Sequence, residues 1–434
     1  MADEDQMQAD YEAAMEALSD EDMDTARDCL RRMMKRNPDD PRTVELSGDF
    51  ARLRGDYEKA DAFYMRLPTL SGDKAVLAVS LLSRGILYAE QGKRDEACDL
   101  LRQAIELYRQ IGDTQRMIAA TGNLADTLLE AGRLAEAAEA FQSALELAQE
   151  DARLEPDPEG DGEGDDDTDD DSQTGKAFTV ASLERELGEV CRMLGELDRA
   201  ATCFRNAMVT FEEADDELEV AETLDCLSVV RQIQGDYDEA ESLLRRAIDI
   251  NEKHDFTDGL SVNYGNMAFL YKHRKNFDEA AIYLEKARKI DKASGRDEAI
   301  ADYHIQMGEI LYERCKYDEA ESNLLKALKM HKQLDNITGI AAAYSHLGAL
   351  YRHRKDFAQS EKMTLKALEI SEELQNLDFI AGVVDELGML RKVQGRTDEA
   401  RELWNRALSH FQQLRSAKMT EEVRKQIEEL GQTN

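Results

Sequence analysis

The chain has 434 residues, of which 55 are Lys or Arg and 92 are Asp or Glu, so its formal charge is −37. A surface of this sign repels duplex nucleic acid and anionic membranes, and neither is expected as a partner of the whole surface, although a local basic patch could bind one. Five prolines, one tryptophan and an excess of Ala, Leu, Glu, Asp and Arg favour helices over a barrel or sandwich of short strands.

A short phrase, Gly-x-aromatic-x-Glu-Ala in its fullest form, recurs along the chain. We call its closing small residue the anchor, and the anchors are Ala26 (in a looser copy), Ala60, Ala97, Ala137, Ala200, Ala240, Ala280, Ala320, Ser360 and Ala400. The last six are 40 residues apart, and each has an alanine seven residues later and Gly, Ala or Ser twelve residues earlier. Small residues at these spacings let two amphipathic helices approach closely. The period therefore predicts an all-α fold, a right-handed superhelical solenoid of about ten helix-turn-helix repeats.

The repeats predict four segments in chain order: N-terminal repeats (1–150), an acidic insert (151–177), C-terminal repeats (178–413) and a capping helix with a tail (414–434). The insert explains why Ala137 and Ala200 are 63 residues apart. It is rich in Asp, Glu, Gly and Pro, so we expect it to be disordered. In the capping helix, Thr420 is the expected N-cap.

The role of the insert has three open interpretations: an autoinhibitory segment, a passive linker or a calcium site. Part of it has the spacing of a calcium-binding loop, at Asp157, Glu159, Asp161, Gly162 and Asp165. However, Thr168 stands where such a loop has a bidentate glutamate.

The blocks "YGNMAFLYKHRKNFDEAAIYLEKARKI" and "YSHLGALYRHRKDFAQSEKMTLKALEI" resemble the tetratricopeptide repeat consensus. The 40-residue period is similar to that of the long-repeat adaptors, the kinesin light chains and Pins-type proteins. The resemblance implies a concave groove lined by the first helix of each pair, where a partner segment binds. It also implies groove asparagines that hold the partner backbone, at Asn123 and Asn266. Other repeats depart from this pattern and carry Ser83, Glu186, Cys226, Gln306, His346 and Glu386 instead.

Two basic clusters interrupt the acidic sequence 80 residues, or two repeats, apart. We call them together the basic edge: Lys272, His273, Arg274 and Lys275, with Arg352, His353, Arg354 and Lys355. The resemblance also implies that Phe269 and Lys392 lie in the groove, together with those residues of the basic edge that belong to the first helices. The edge has two open interpretations. Cations at a helix C-terminus interact favourably with its dipole, by about 0.3–1 kcal/mol each. Alternatively, the edge binds an acidic peptide or a phosphate.

No nucleotide-binding, hydrolase or zinc-protease motif occurs, so we expect neither catalysis, nor a cofactor, nor a metal. An acidic N-terminus, scattered cysteines and the lack of a long apolar run indicate the cytoplasm. We expect an adaptor that binds a protein or peptide, and the basic edge would allow this partner to carry an acidic segment. The alternative is a regulatory sensor whose groove holds a small peptide or its own acidic loop. Adaptation to high salt would make the charge uninformative about partners.

Overall fold

The computed structural model describes residues 2–19, 22–153, 167–374, 376–413 and 417–432, and in these ranges the regular structure is entirely α-helical. The chain divides into two compact units, Met1–Met193 and Leu194–Asn434. The helices of the first unit are α1 (Ala2–Ser19), α2 (Met23–Arg36), α3 (Pro41–Leu53), α4 (Tyr57–Leu70), α5 (Lys74–Glu90), α6 (Arg94–Ile111), α7 (Thr114–Glu130), α8 (Leu134–Arg153) and α9 (Asp167–Met193).

The second unit continues the same pattern of paired helices with short turns. Its helices are α10 (Leu197–Glu213), α11 (Glu217–Gln234), α12 (Tyr237–Lys253), α13 (Thr257–His273), α14 (Phe277–Ala293), α15 (Asp297–Glu313), α16 (Tyr317–Gln333), α17 (Ile337–His353), α18 (Phe357–Glu373), α19 (Leu377–Val393), α20 (Thr397–Gln413) and α21 (Ala417–Gln432). In both units odd-numbered helices are the first of a pair, and several of them also contact the next odd-numbered helix. Within each unit, first helices therefore form one layer and second helices another.

The anchors are fully buried in this packing, as the repeat predicts. All ten have no exposed surface. The small residue twelve positions before an anchor lies against the bulky residue four positions after it. A Cβ added at Gly308 would come within 2.6 Å of Leu324, and one added at Gly388 would come within 2.5 Å of Trp404 Nε1. The small residues are therefore required by the approach of the two helices of each pair.

Helices reach further into the predicted insert than its composition suggested. The helix α8 extends to Arg153 and α9 begins at Asp167, so both ends of 151–177 are helical. The predicted disorder of the remaining stretch, and the calcium-loop-like positions from Asp157 to Asp165, lie outside the described residues.

A helix occupies the predicted capping segment, but Thr420 is not its N-cap. The helix α21 begins at Ala417, three residues before the expected N-cap, and Thr420 is a buried residue within it. Val423 and Leu430 pack with Phe411 of α20, so burial of an apolar stripe decides the position of this helix. Among the described residues, none of the helices is both long and apolar enough to cross a membrane.

Candidate functional site

A cavity of about 740 Å³ opens on the first-helix layer of the second unit, lined mainly by α11, α13 and α15. Three large apolar side chains at the cavity are exposed to solvent: Leu218 (39%), Phe256 (45%) and Val262 (56%). Apolar surface around a few fixed polar groups is typical of a ligand site. We call this feature the groove cavity.

An amide and carboxylate network forms the polar part of the groove cavity. Asp225 on α11 accepts hydrogen bonds from Asn263 Nδ2 (2.8 Å) and Asn266 Nδ2 (2.8 and 2.9 Å) on α13. Asn251, near the end of α12, donates from Nδ2 to Asn263 Oδ1 over 2.8 Å. Burial raises the pKa of Asp225, although the two amide donors act to lower it. The donors are neutral, so they orient the carboxylate without cancelling its charge.

Negative charge is in excess at the groove cavity. Its described lining residues include one guanidinium, that of Arg296, and five carboxylates, those of Glu222, Asp225, Asp258, Asp291 and Asp302. Arg296 pairs with Asp291 over 2.9 Å and also with Asp258. Its charge is thus already matched within the chain.

Further along the same layer, two predicted groove cations bind carboxylates on a neighbouring first helix. Lys272 Nζ lies 2.9 Å from Glu309 Oε2 and 5.0 Å from the ring centre of Phe269, whose side chain is exposed. Arg352 binds Glu386 through both its Nε (2.5 Å) and its Nη2 (3.2 Å). These pairs tie successive repeats together.

The arginines of the basic edge are also paired across repeats. Arg274 binds Asp238 and Glu241, each over 2.5 Å, on the second helix of the preceding repeat. Arg354 binds the equivalent residues Asp318 (2.6 Å) and Glu321 (2.8 Å). The acidic phrase "YDEAE" occurs at 237–241 and again at 317–321, so the acids recur with the same 80-residue interval as the cations. The sequence carried this signal, and our sequence analysis missed it.

The two lysines of the basic edge are placed differently from its arginines. Lys275 and Lys355 are exposed and have φ angles of 58° and 66°. Equivalent turns have glycine there, at Gly235 and Gly395, with φ angles of 85° and 76°. A left-handed backbone is unfavourable for lysine, by roughly 1–2 kcal/mol.

The histidines of the basic edge lie against aromatic rings. The ring centres of His273 and Phe269 are 4.3 Å apart, and those of His353 and Tyr312 are 5.2 Å apart. Burial, followed by the charge of Arg352, lowers the pKa of His353. That the edge binds an anion remains a prediction.

The groove asparagines implied by the resemblance have different surroundings. Asn123 donates from Nδ2 to Ala119 O, 2.8 Å away in its own helix, and belongs to the first unit. Asn266 reaches the groove cavity through its bonds to Asp225. Lys392 lies 3.0 Å from Glu429 and 5.6 Å from the ring centre of Trp404.

Sequence reasoning did not find Asp225, Asn251 and Asn263. Asp225 and Asn263 are 38 residues apart, close to one repeat, and this interval is the available signal. This signal is weak, because many of the 92 acidic residues of the chain could have a partner at such an interval. In the described part of the chain, no group of three or more His, Cys, Asp or Glu side chains is placed to hold a metal ion.

Comparison with known protein families gives a clear result. A family model described as Tetratricopeptide repeat matches residues 76–150, 179–253 and 260–333, which together exceed half of the chain. The chain belongs to the tetratricopeptide repeat family. Two further tetratricopeptide repeat models match residues 11–73 and 340–377. Arrays of tetratricopeptide repeats are protein-interaction scaffolds, and this chain is one.

Several solved structures share the tetratricopeptide repeat fold of this chain. The apo form of RapI is 12% identical, covers 85% of this chain and 98% of its own, and has a TM-score of 0.66. Aspartyl phosphate phosphatase F from Bacillus subtilis is 12% identical, covers 84% and 93%, and has a TM-score of 0.56. The Rap conjugation gene regulator of plasmid pLS20, in complex with the Phr* peptide, is 12% identical, covers 86% and 95%, and has a TM-score of 0.54. A search of curated proteins found no match.

Proposed function

We propose that this protein is a non-catalytic adaptor that binds a segment of a partner protein in the groove of its C-terminal repeats. The observation that carries the proposal is the groove cavity, which combines about 740 Å³ of open volume with exposed apolar side chains and an oriented polar network. A segment laid across α11, α13 and α15 would bury Leu218, Phe256 and Val262. Burial of apolar surface would drive binding, and the network would fix orientation.

A regulatory peptide sensor is the second candidate. It is supported by the likeness in fold to the pLS20 regulator, which was solved with the Phr* peptide. The sensor and the adaptor use the same groove and differ in outcome. A sensor releases another partner when a short peptide binds, whereas an adaptor holds the segment itself.

The six cysteines are free thiols, which supports placing the protein in the reducing cytoplasm under either proposal.

The test uses two glycines at which an added Cβ would meet no neighbouring atom. Gly265 lines the groove cavity, and a Cβ added there meets nothing within 4 Å. Gly122 is its counterpart in the first unit and is equally open. A random peptide library displayed on phage is selected on the full-length protein, and the enriched peptides are tested on Gly265→Trp and Gly122→Trp. We expect the first variant to lose binding and the second to keep it. Equal binding to both would refute the groove as the binding site.

A further inference from the structure

Resting on the proposed function, we infer that the groove cavity recognises a cationic side chain, Lys or Arg, carried between apolar residues of the partner segment. Three independent features of the groove cavity point to this ligand: its charge, an unpaired buried acceptor and its exposed apolar surface.

The first feature is the charge that remains after the internal ion pairs are formed. Asp291 and Asp258 match Arg296, and Asp291 also accepts a hydrogen bond from Ser261 Oγ over 2.6 Å. The carboxylates of Asp225 on α11 and Asp302 on α15 line the same cavity. Asp225 is bound by neutral amides, and Asp302 Oδ1 lies 3.3 Å from Nε2 of the buried His331. A cation placed there would be attracted by both, whereas an acidic segment would be repelled.

The local environment makes this attraction stronger than it would be at an open surface. Burial raises the pKa of Asp225, and the nearby charge of Glu222 raises it further. Burial also raises the pKa of Asp302, with a further contribution from Glu298, while His331 acts to lower it. An incoming ammonium or guanidinium group would stabilise the charged form of each carboxyl group.

The second feature is an acceptor without a donor. Asn251 is only 3% exposed and lines the groove cavity. Its Nδ2 is used by Asn263, but its Oδ1 has no hydrogen-bond partner among the described residues. A buried acceptor left unsatisfied costs about 1–3 kcal/mol. A ligand N–H group would satisfy it. The unpaired acceptor and the carboxylates therefore both favour a ligand that carries N–H donors.

The third feature is the apolar surface around these acceptors. Leu218, Phe256 and Val262 are exposed beside the carboxylates. The side chains of Lys and Arg match this arrangement, because their aliphatic stems pack on apolar surface while the charged end reaches a polar group. Apolar neighbours in the partner segment would cover the remaining surface.

The experiment combines changes in the peptide with changes in the protein. Peptides are enriched on the full-length protein from the phage-displayed random library, and the leading peptide is synthesised with its cationic residue intact or replaced by norleucine. Affinities are measured for the wild type and for Asp225→Asn, which keeps the shape of the side chain. Asp249→Asn, an exposed aspartate on α12, is the matched control.

We expect enriched peptides to carry Lys or Arg at one position between apolar residues. Norleucine at that position, or Asp225→Asn, should each weaken binding about tenfold or more. Combining the two should cost little beyond either alone, because they remove the same contact. Asp249→Asn should change nothing.

Two outcomes would overturn the inference and leave the proposed function standing. In the first, the enriched peptides need the groove but carry no cation. In the second, the losses of binding free energy caused by norleucine and by Asp225→Asn simply add when the two changes are combined. A third outcome separates the two proposals. If the enriched peptides bind Gly265→Trp as well as the wild type, the groove is not the site, and both proposals fail.

Discussion

Replacing Gly388 by alanine should destabilise the last repeat, whereas the same change at Gly382 in the same helix should stabilise it. Alanine is favoured over glycine in a helix interior by about 1 kcal/mol, and this gain applies at both positions. Gly382 is exposed, and an added Cβ there meets nothing within 4 Å. At Gly388 the added Cβ would lie 2.5, 2.7 and 3.0 Å from three atoms of Trp404.

Trp404 cannot easily move away from such a Cβ. It is fully buried and belongs to one apolar cluster with Ala407 and Phe411. Overpacking of this kind costs about 1–3 kcal/mol. We therefore expect Gly388→Ala to be less stable than Gly382→Ala by about 1–3 kcal/mol.

The single tryptophan is a local reporter for this comparison. Urea unfolding followed by Trp404 fluorescence should give a midpoint for Gly388→Ala that is lower by roughly 1 M than that of Gly382→Ala, at an unchanged slope. Far-ultraviolet circular dichroism of the native proteins checks that both remain helical. Equal midpoints would show that close approach at the small residues is not required for packing, and our explanation of the repeat would be wrong.

Three further predictions address the turns, the pH dependence and the basic edge. Lys275→Gly should raise the free energy of unfolding by about 1 kcal/mol in urea, because glycine accepts its positive φ, and Gly235→Lys should lower it; the same sign for both would contradict this. Burial, with a contribution from Asp49, raises the pKa of Glu45 to about 7. The folded state therefore holds this proton longer than the unfolded state, and stability falls as the pH rises from about 4.5 through about 7. Glu45→Gln should remove this part of the fall in thermal melts, and an unchanged profile would exclude Glu45 as its source. If the basic edge binds anions, the wild-type protein should bind a poly-glutamate peptide in a salt-sensitive way. Replacing Lys275 and Lys355 by glutamate should abolish this binding. If the wild type does not bind the peptide, the prediction that the edge binds anions is wrong.

The fold, and which residues of each repeat pack between its two helices, could be predicted from the sequence. Anchors and small residues recur at fixed spacings, and close approach of two helices tolerates only small side chains at these points. The same periodicity assigned first and second helices correctly. These features depend on spacing within one repeat, which a sequence displays directly.

Tertiary structure alone decided which charges meet. The sequence shows that Arg274 and Arg354 are cations, but their partners lie 33 and 36 residues earlier, on the neighbouring repeat. The groove cavity depends likewise on three helices from successive repeats, which bring Asp225 to Asn263 and Asn266. Such contacts depend on how far each repeat is rotated against the next and how far each side chain reaches. The spacing of the anchors determines neither quantity, so many acidic residues were equally plausible partners for these arginines until the helices were in place.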